Sequence, residues 1–417
     1  MDQLKLLNFH KMIANFANNL IGAFVSLIIY EATSSLTFAI LYLVMVNFLK
    51  LVFTIAFRKL YYKYPQLFLL LRLIPITLYN LFILVLDKNL IIGTIGVCIF
   101  VALDSSFNNL PKELIFNYSS LSQSQQSDKS IGVTRVFEQA GIIIALVVGG
   151  FLLDINKTLV LILALSIYTI SVIPLVIYYI RCRKQKTFNK DATSNAITTI
   201  NKKDNSKQTT DKLTKKILLT YALMYFSTSF MDILQTVFSL YVFISKGEFA
   251  LAGILNAIYN TFYAIGFYVA SAINEKRDTT KLISVLCIVM AIVVVILPFV
   301  NIDTTFLVIC LIYGIIGFSF PFLSLFILDR MLIKSRILAH SNDALFARES
   351  SCLLGYVVGY SFGFFGLIPI FILIGVAMSA SSIIIPVGEE NTRKTLVDFL
   401  QNNEITRKSR RRKREEK

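Results

Sequence analysis

The sequence has no tryptophan and only two histidines, His10 and His340. Two isolated histidines do not make a metal site, and no Cys–His pair has metal-ligand spacing. The five cysteines, Cys98, Cys182, Cys287, Cys310 and Cys352, are scattered and read as small apolar residues. A phosphate loop, a membrane-hydrolase dyad and an ATP-binding segment are all missing. No catalytic residue, metal or cofactor is therefore expected, and any uphill work must draw on a gradient. No run of alternating polar and apolar residues marks out strands, which argues against a β-barrel. Acidic residues are also scarce, 25 against 41 Lys and Arg, for a net charge of +16.

Apolar residues are abundant. They make up 56% of the chain, above globular usage, and mean hydropathy is +0.69. Apolar stretches of about 20 residues recur, each long enough to cross about 30 Å of hydrocarbon. Twelve spans are expected, at 10–30, 36–57, 66–86, 90–110, 131–153, 158–180, 215–243, 250–272, 281–300, 304–328, 344–363 and 367–387. The first carries no cleavage pattern and reads as a signal anchor. Tyrosine, with 19 copies, stands in for tryptophan at the membrane interfaces.

The basic residues orient these spans. With the N-terminus inside, the outward loops hold only Lys88, Lys157 and Lys246. Arg58, Lys59, Lys63, Lys112, Lys276, Arg277, Arg330 and Arg336 all fall inside. Such a bias places both termini in the cytoplasm and demands an even number of spans. It also accounts for the positive charge without nucleic acid. The expectation is an all-α multi-pass protein of the cytoplasmic membrane, with six-helix bundles at 1–180 and 215–388. A basic linker (181–214) should be disordered, a basic tail (389–417) should start a short amphipathic helix at TLVDFL (395–400), and both should attract anionic lipid.

The halves echo each other. Each has a short basic loop between its second and third spans, FRKLYYK and NEKRD. Each has a longer charged loop before its fifth span, where Arg135 and Glu138 match Arg348 and Glu349. The fifth spans carry small residues four apart: Gly141, Ala145 and Gly149 (then Gly150), and Gly355, Gly359 and Gly363. Such a face lets helices approach closely, and the first of them is expected to pack against a moving partner.

These features resemble the major facilitator superfamily over the whole chain. Its helix-5 antiporter motif reads G-x-x-x-G-P-x-x-G-G. Gly141, Gly149 and Gly150 match, while Ala145 and Leu146 replace the middle Gly and the Pro. The loop 2–3 motif lacks its acid, because Phe57 precedes Arg58 and Lys59. The resemblance implies a cavity lined by spans 1, 4, 7 and 10 and a solute carried by alternating access.

Asp232 in span 7 is the leading site candidate, since an ionisable group in hydrocarbon is costly. Gln235 and Thr236 share its face. Asn15 and Asn19 in span 1, Asn256 and Asn260 in span 8, and Tyr313 in span 10 extend the polar set. Lys50, Arg72 and Asp104 lie at one depth and are expected to form a charged inner gate. Arg135, Glu138, Arg348 and Glu349 are expected to bridge the halves. The function expected is proton-coupled export of a small amphipathic solute or drug by a monomer. Uptake of a small metabolite, or a sensor on the same scaffold, are the alternatives.

The topology is tested by cysteine labelling. A membrane-impermeant reagent applied outside should react near Lys157 or Lys246 and miss residues 181–214. Labelling of that segment from outside contradicts the twelve-span arrangement.

Overall fold

The computed structural model describes residues 3–122, 128–186, 206–274, 280–300, 306–337 and 340–415. Side chains are described over 9–115, 138–181, 213–273, 280–300, 306–335, 340–398 and at 401. Among these residues all regular structure is helical. In hydrocarbon a helix satisfies its own backbone polar groups, so apolar runs of this length have little alternative.

The order is α1 (Gln3–Asn19), a 3-10 turn (Gly22–Phe24), α2 (Val25–Thr33), α3 (Leu36–Ala56), α4 (Arg58–Lys63), α5 (Pro65–Leu71) and α6 (Leu73–Leu86). Then come α7 (Leu90–Ser122), α8 (Asp128–Ile155), α9 (Lys157–Lys186), α10 (Ser206–Lys246) and α11 (Phe249–Asn274). The chain ends with α12 (Thr280–Ile296), α13 (Phe306–Ile337), α14 (Ser341–Ser361) and α15 (Leu367–Glu415).

Eleven stretches among the described residues are long and apolar enough to cross a membrane. The expected span at 344–363 is not among them. Its helix, α14, has 21 residues, about 32 Å at ~1.5 Å per residue. It opens with SNDALFARES, whose polar residues lower its hydropathy. It nevertheless packs inside the assembly, between α3 and α10. Around the outside, Ile74, Ile91, Ile155, Leu219 and Leu307 are exposed, an apolar surface suited to lipid.

Two expected spans are broken. The first is divided at Leu20–Ile21, just before Gly22. The third is interrupted at Arg72. Pro75 lacks the N–H that would bond the Leu71 carbonyl, which explains the second break. The expected linker is shorter than 181–214, because α9 runs to Lys186 and α10 starts at Ser206; residues 187–205 lie outside the described residues. In the tail, where a short helix is expected from Thr395, α15 continues as one helix from the last span to Glu415.

Helices before residue 187 pack mainly among themselves: α1 on α8 and α9, α7 on α3 and α6. Helices after 205 do the same: α10 on α14 and α15, α11 on α13, α12 on α15. We call these the first and second sets. They meet along two seams, α8 on α11 and α3 on α14.

Glycine sets the closeness of these contacts. A Cβ on Gly141 would lie 2.5 Å from the Met12 carbonyl oxygen, and one on Gly149 would lie 2.5 Å from that of Leu20. Gly141 therefore holds α8 against α1, and Gly149 holds it against the break that follows α1, both within their own set and not against a partner in the other set. Ala145 is fully buried. Gly150 does face the other set, where a Cβ would lie 2.7 Å from the Phe249 carbonyl oxygen. Gly355 and Gly359 face α10, and Gly363 faces Ile40 of α3.

Gly149→Val should force α8 off the break that follows α1 and lower the thermal midpoint, since overpacking costs about 1–3 kcal/mol. Gly22→Ala should change stability by no more than about 0.5 kcal/mol, because an added Cβ there meets nothing within 4 Å. Thermal unfolding of the two purified variants checks the contrast.

Candidate functional site

A cavity of about 400 Å³ lies where the two sets meet. The first set lines it with Asn15, Asn18, Asn19, Asn47 and Lys50, and the second with Asp232, Thr236, Tyr356 and Tyr360. The break in the first span brings Gly22 and Ala23 to the wall. Close by, Asn19 Nδ2 donates to the Asn15 carbonyl at 2.8 Å, capping backbone within the helix. Asn18 Oδ1 has no hydrogen-bond partner among the described residues.

Asp232 is exposed to this cavity, and its Oδ2 accepts the Tyr356 hydroxyl at 2.9 Å. Asp232 and Tyr356 also line a second cavity of about 260 Å³, with Glu113, Arg348, Glu349 and Cys352. The carboxylate thus sits on the partition between two chambers.

The charges are arranged differently from the expected gate. Arg72 Nε and Nη2 reach the two carboxylate oxygens of Asp104 at 2.8 and 3.2 Å, and Nη1 reaches Asn108 Oδ1 at 2.9 Å. This fork uses both oxygens of Asp104. It lies wholly within the first set, so it cannot close a passage between the sets. Lys50 is left without an ion pair or hydrogen bond among the described residues; Asp104 and Glu349 are the carboxylates whose field reaches it. Glu138 also bonds inside its own set, to Lys11 at 3.0 Å, both buried. The side chain of Arg135 lies outside the described residues. Arg348 and Glu349 do reach across: Arg348 Nη1 is 3.8 Å from Glu113, and Glu349 accepts from Asn109 Nδ2 at 2.9 Å.

The sets are joined at both ends. At one end Arg58 Nη2 donates to Asp343 Oδ1 at 2.7 Å, and the Tyr62 hydroxyl donates to the Asn342 carbonyl at 3.1 Å. The Arg58 guanidinium also lies 4.1 Å over the Phe346 ring. Burial pushes the Asp343 carboxyl up, but hydrogen bonds from His340 and Arg58 outweigh it and hold the group below its ordinary value. At the other end the Asp154 carboxylate accepts the N–H groups of Phe249 and Ala250, both at 2.9 Å. It caps α11 from the opposite set, where a negative charge suits a helix N-terminus.

Four expected site residues line neither cavity. Gln235 is half-buried on α10. Asn256, Asn260 and Tyr313 form a buried network in the second set: Asn256 Nδ2 donates to Ser239 Oγ at 2.6 Å, Tyr313 donates to Asn256 Oδ1 at 3.4 Å, and Asn260 Nδ2 donates to the Asn256 carbonyl at 2.7 Å. Spacing put them on polar faces but did not say which neighbour each face meets. Sequence reasoning missed Lys11, Tyr356, Tyr360 and the Arg58–Asp343 pair. It also missed Lys334, which donates to Glu389 Oε1 at 2.8 Å. Opposite charges at the ends of the second and eleventh spans were the available signal for Arg58 and Asp343.

No protein-family model matches the sequence, and no curated protein matches it. Solved structures do. A bacterial homologue of the iron transporter ferroportin, in an outward-facing state, superposes with TM-score 0.63 at 13% identity, over 94% of this chain and 100% of that one. A POT family transporter in complex with a thioalcohol-conjugated peptide gives TM-score 0.62 at 13% identity, over 93% and 96%. The nucleoside transporter NupG gives 0.55 at 13%, over 93% and 99%. The chain has the major facilitator fold. At this identity the likeness concerns the fold alone. Within this fold the polar cavity lies where the two helix sets face each other, and the Arg58 and Asp154 contacts join the sets at opposite ends.

The Arg58–Asp343 closure predicts an accessibility change. With Cys352 as the only cysteine, Asp343→Asn should speed its modification by a thiol reagent from the Arg58 end. The pair is half-exposed and worth up to about 1 kcal/mol, so the rise should be about two- to fivefold. A depressed carboxyl pKa means the closure is intact above the free value of about 3.9 and fails only as pH falls through the lower folded value. The ratio of variant to wild-type rate should therefore stay constant from about pH 8 to 5.

Proposed function

We propose that the chain is a secondary transporter that carries a small polar solute through the central cavity, coupled to protons at Asp232. The observation that carries the reading is a single carboxylate exposed to the cavity and shared with a second chamber, at the junction of the two helix sets. Closure at Arg58–Asp343 would alternate with closure at Asp154–Phe249 as the bundles, 1–180 and 215–388, rock about their seams. The likeness to a homologue of an iron transporter, a peptide-bound POT family transporter and a nucleoside transporter supports carriage of a solute in general.

The polar wall changes the solute expected. Asn15, Asn18, Asn19, Asn47, Lys50 and Asp232 would leave an amphipathic drug facing unsatisfied polar groups, so a polar metabolite suits the cavity better. The partial span-5 motif favours export in exchange for protons. The protein would act as a monomer in the plasma membrane, with its basic linker and tail on anionic lipid.

Asp232→Asn keeps the shape and the Tyr356 contact but cannot ionise. In proteoliposomes loaded with small polar metabolites, an imposed pH gradient should drive solute loss through the wild type. The variant should lose gradient-driven flux by about tenfold or more, one step of about 1.4 kcal/mol, while solute exchange persists. Wild-type coupling in the variant removes Asp232 from the mechanism.

A further inference from the structure

We infer that the central cavity is built for a zwitterion, a small solute with an anionic group at one end and an ammonium at the other. The physiological purpose of such binding rests on the transporter reading above; the binding itself does not. Two charges set the cavity apart. Lys50, on α3 of the first set, has no ion pair or hydrogen bond among the described residues. Asp232, on α10 of the second set, has a phenol, Tyr356, as its hydrogen-bond donor. The other charged pair on the wall, Arg72 with Asp104, is closed on itself.

An unpaired charge away from bulk water is costly. A cationic solute would satisfy Asp232 and face Lys50 unrelieved. An anionic solute would do the reverse, and a neutral one would leave both charges unpaired. A solute with both charges satisfies both walls at once. Charged hydrogen bonds are about twice as strong as neutral ones, so the two ends would dominate recognition. The free Asn18 Oδ1 offers an acceptor on the same wall. A water takes about 30 Å³ in the liquid, so 400 Å³ holds a solute of about a dozen non-hydrogen atoms. Because Lys50 and Asp232 belong to different sets, such a solute would also bridge them.

The test uses the full chain in lipid nanodiscs. The probes are ω-amino acids from glycine to 6-aminohexanoate and L-alanyl-L-alanine, each beside its C-terminal amide and its N-acetyl derivative. The thermal midpoint is followed against probe concentration. At least one zwitterion should stabilise the wild type, and both of its blocked forms should bind about thirtyfold more weakly or worse. Lys50→Gln should remove the advantage of the zwitterion over its amide, and Lys50→Arg should restore it. Asp232→Asn should remove the advantage over the N-acetyl form. Monodisperse elution and a ligand-free midpoint no lower than that of the wild type establish that each variant is folded. The inference is overturned if no zwitterion in the series binds. It is equally overturned if an amide or N-acetyl form binds as well as its parent, or if both charge-removing variants keep wild-type affinity. A zwitterion that binds but is never carried in proteoliposomes ends the transporter reading and leaves this inference standing. Flux of a blocked analogue at the parent's rate does the opposite.

Discussion

The cost of holding charge away from water organises this molecule. Three ion pairs lie deep in the helix sets: Lys11 with Glu138, Arg72 with Asp104, and Lys334 with Glu389. Each is formed between helices of one set, so none crosses from one set to the other. Removing one partner of a buried pair typically costs about 3–5 kcal/mol, so these pairs tie each set together from within. Lys50 and Asp232 are the two cavity-wall charges left outside this scheme, and they face each other's set across polar space. The same principle that hides the structural charges makes these two conspicuous.

The seams show a matching division. Within the first set, Gly141 lets α8 ride directly on the α1 backbone, and Gly149 lets it ride on the break that follows α1. Across the sets, the ends are held by exposed or half-exposed polar contacts: Arg58 with Asp343, and Asp154 with two backbone N–H groups. Contacts of that kind are individually weak because water competes for both partners. The α8–α11 seam between the sets is close as well, with Gly150 against the Phe249 carbonyl, so the sets share one tight seam and are held at their ends by weaker polar contacts.

Much of this was legible in the sequence, for identifiable reasons. Long apolar runs permit one backbone solution in lipid, so most spans lie close to where hydropathy puts them. The exception, α14, has low hydropathy because it opens with SNDALFARES, while its Tyr356 and Tyr360 line a cavity instead of facing lipid. Asp232 was visible because a lone carboxylate in an apolar run is rare. Partners were not visible. Depth alone grouped Lys50, Arg72 and Asp104, yet Arg72, at the break in the third span, takes both oxygens of Asp104 and leaves Lys50 outside the pair. Asn256, Asn260 and Tyr313 have the spacing of a cavity face, but that face meets Ser239 and its neighbours in the second set. The Arg58–Asp343 contact joins residues 285 positions apart, beyond the reach of any local pattern.

The central claim is that two helix sets move against each other with opposite closures at the two ends. Spin-label distances test it most directly. One pair, at Lys59 and Ser341, brackets the Arg58–Asp343 latch; a second, at Asn156 and Glu248, brackets the Asp154 cap. The account predicts two populations for each pair, such that whatever lengthens one distance shortens the other, with Asp343→Asn shifting the first pair toward its longer distance. Single, unchanging distances at both ends, in the wild type and in that variant, would contradict it.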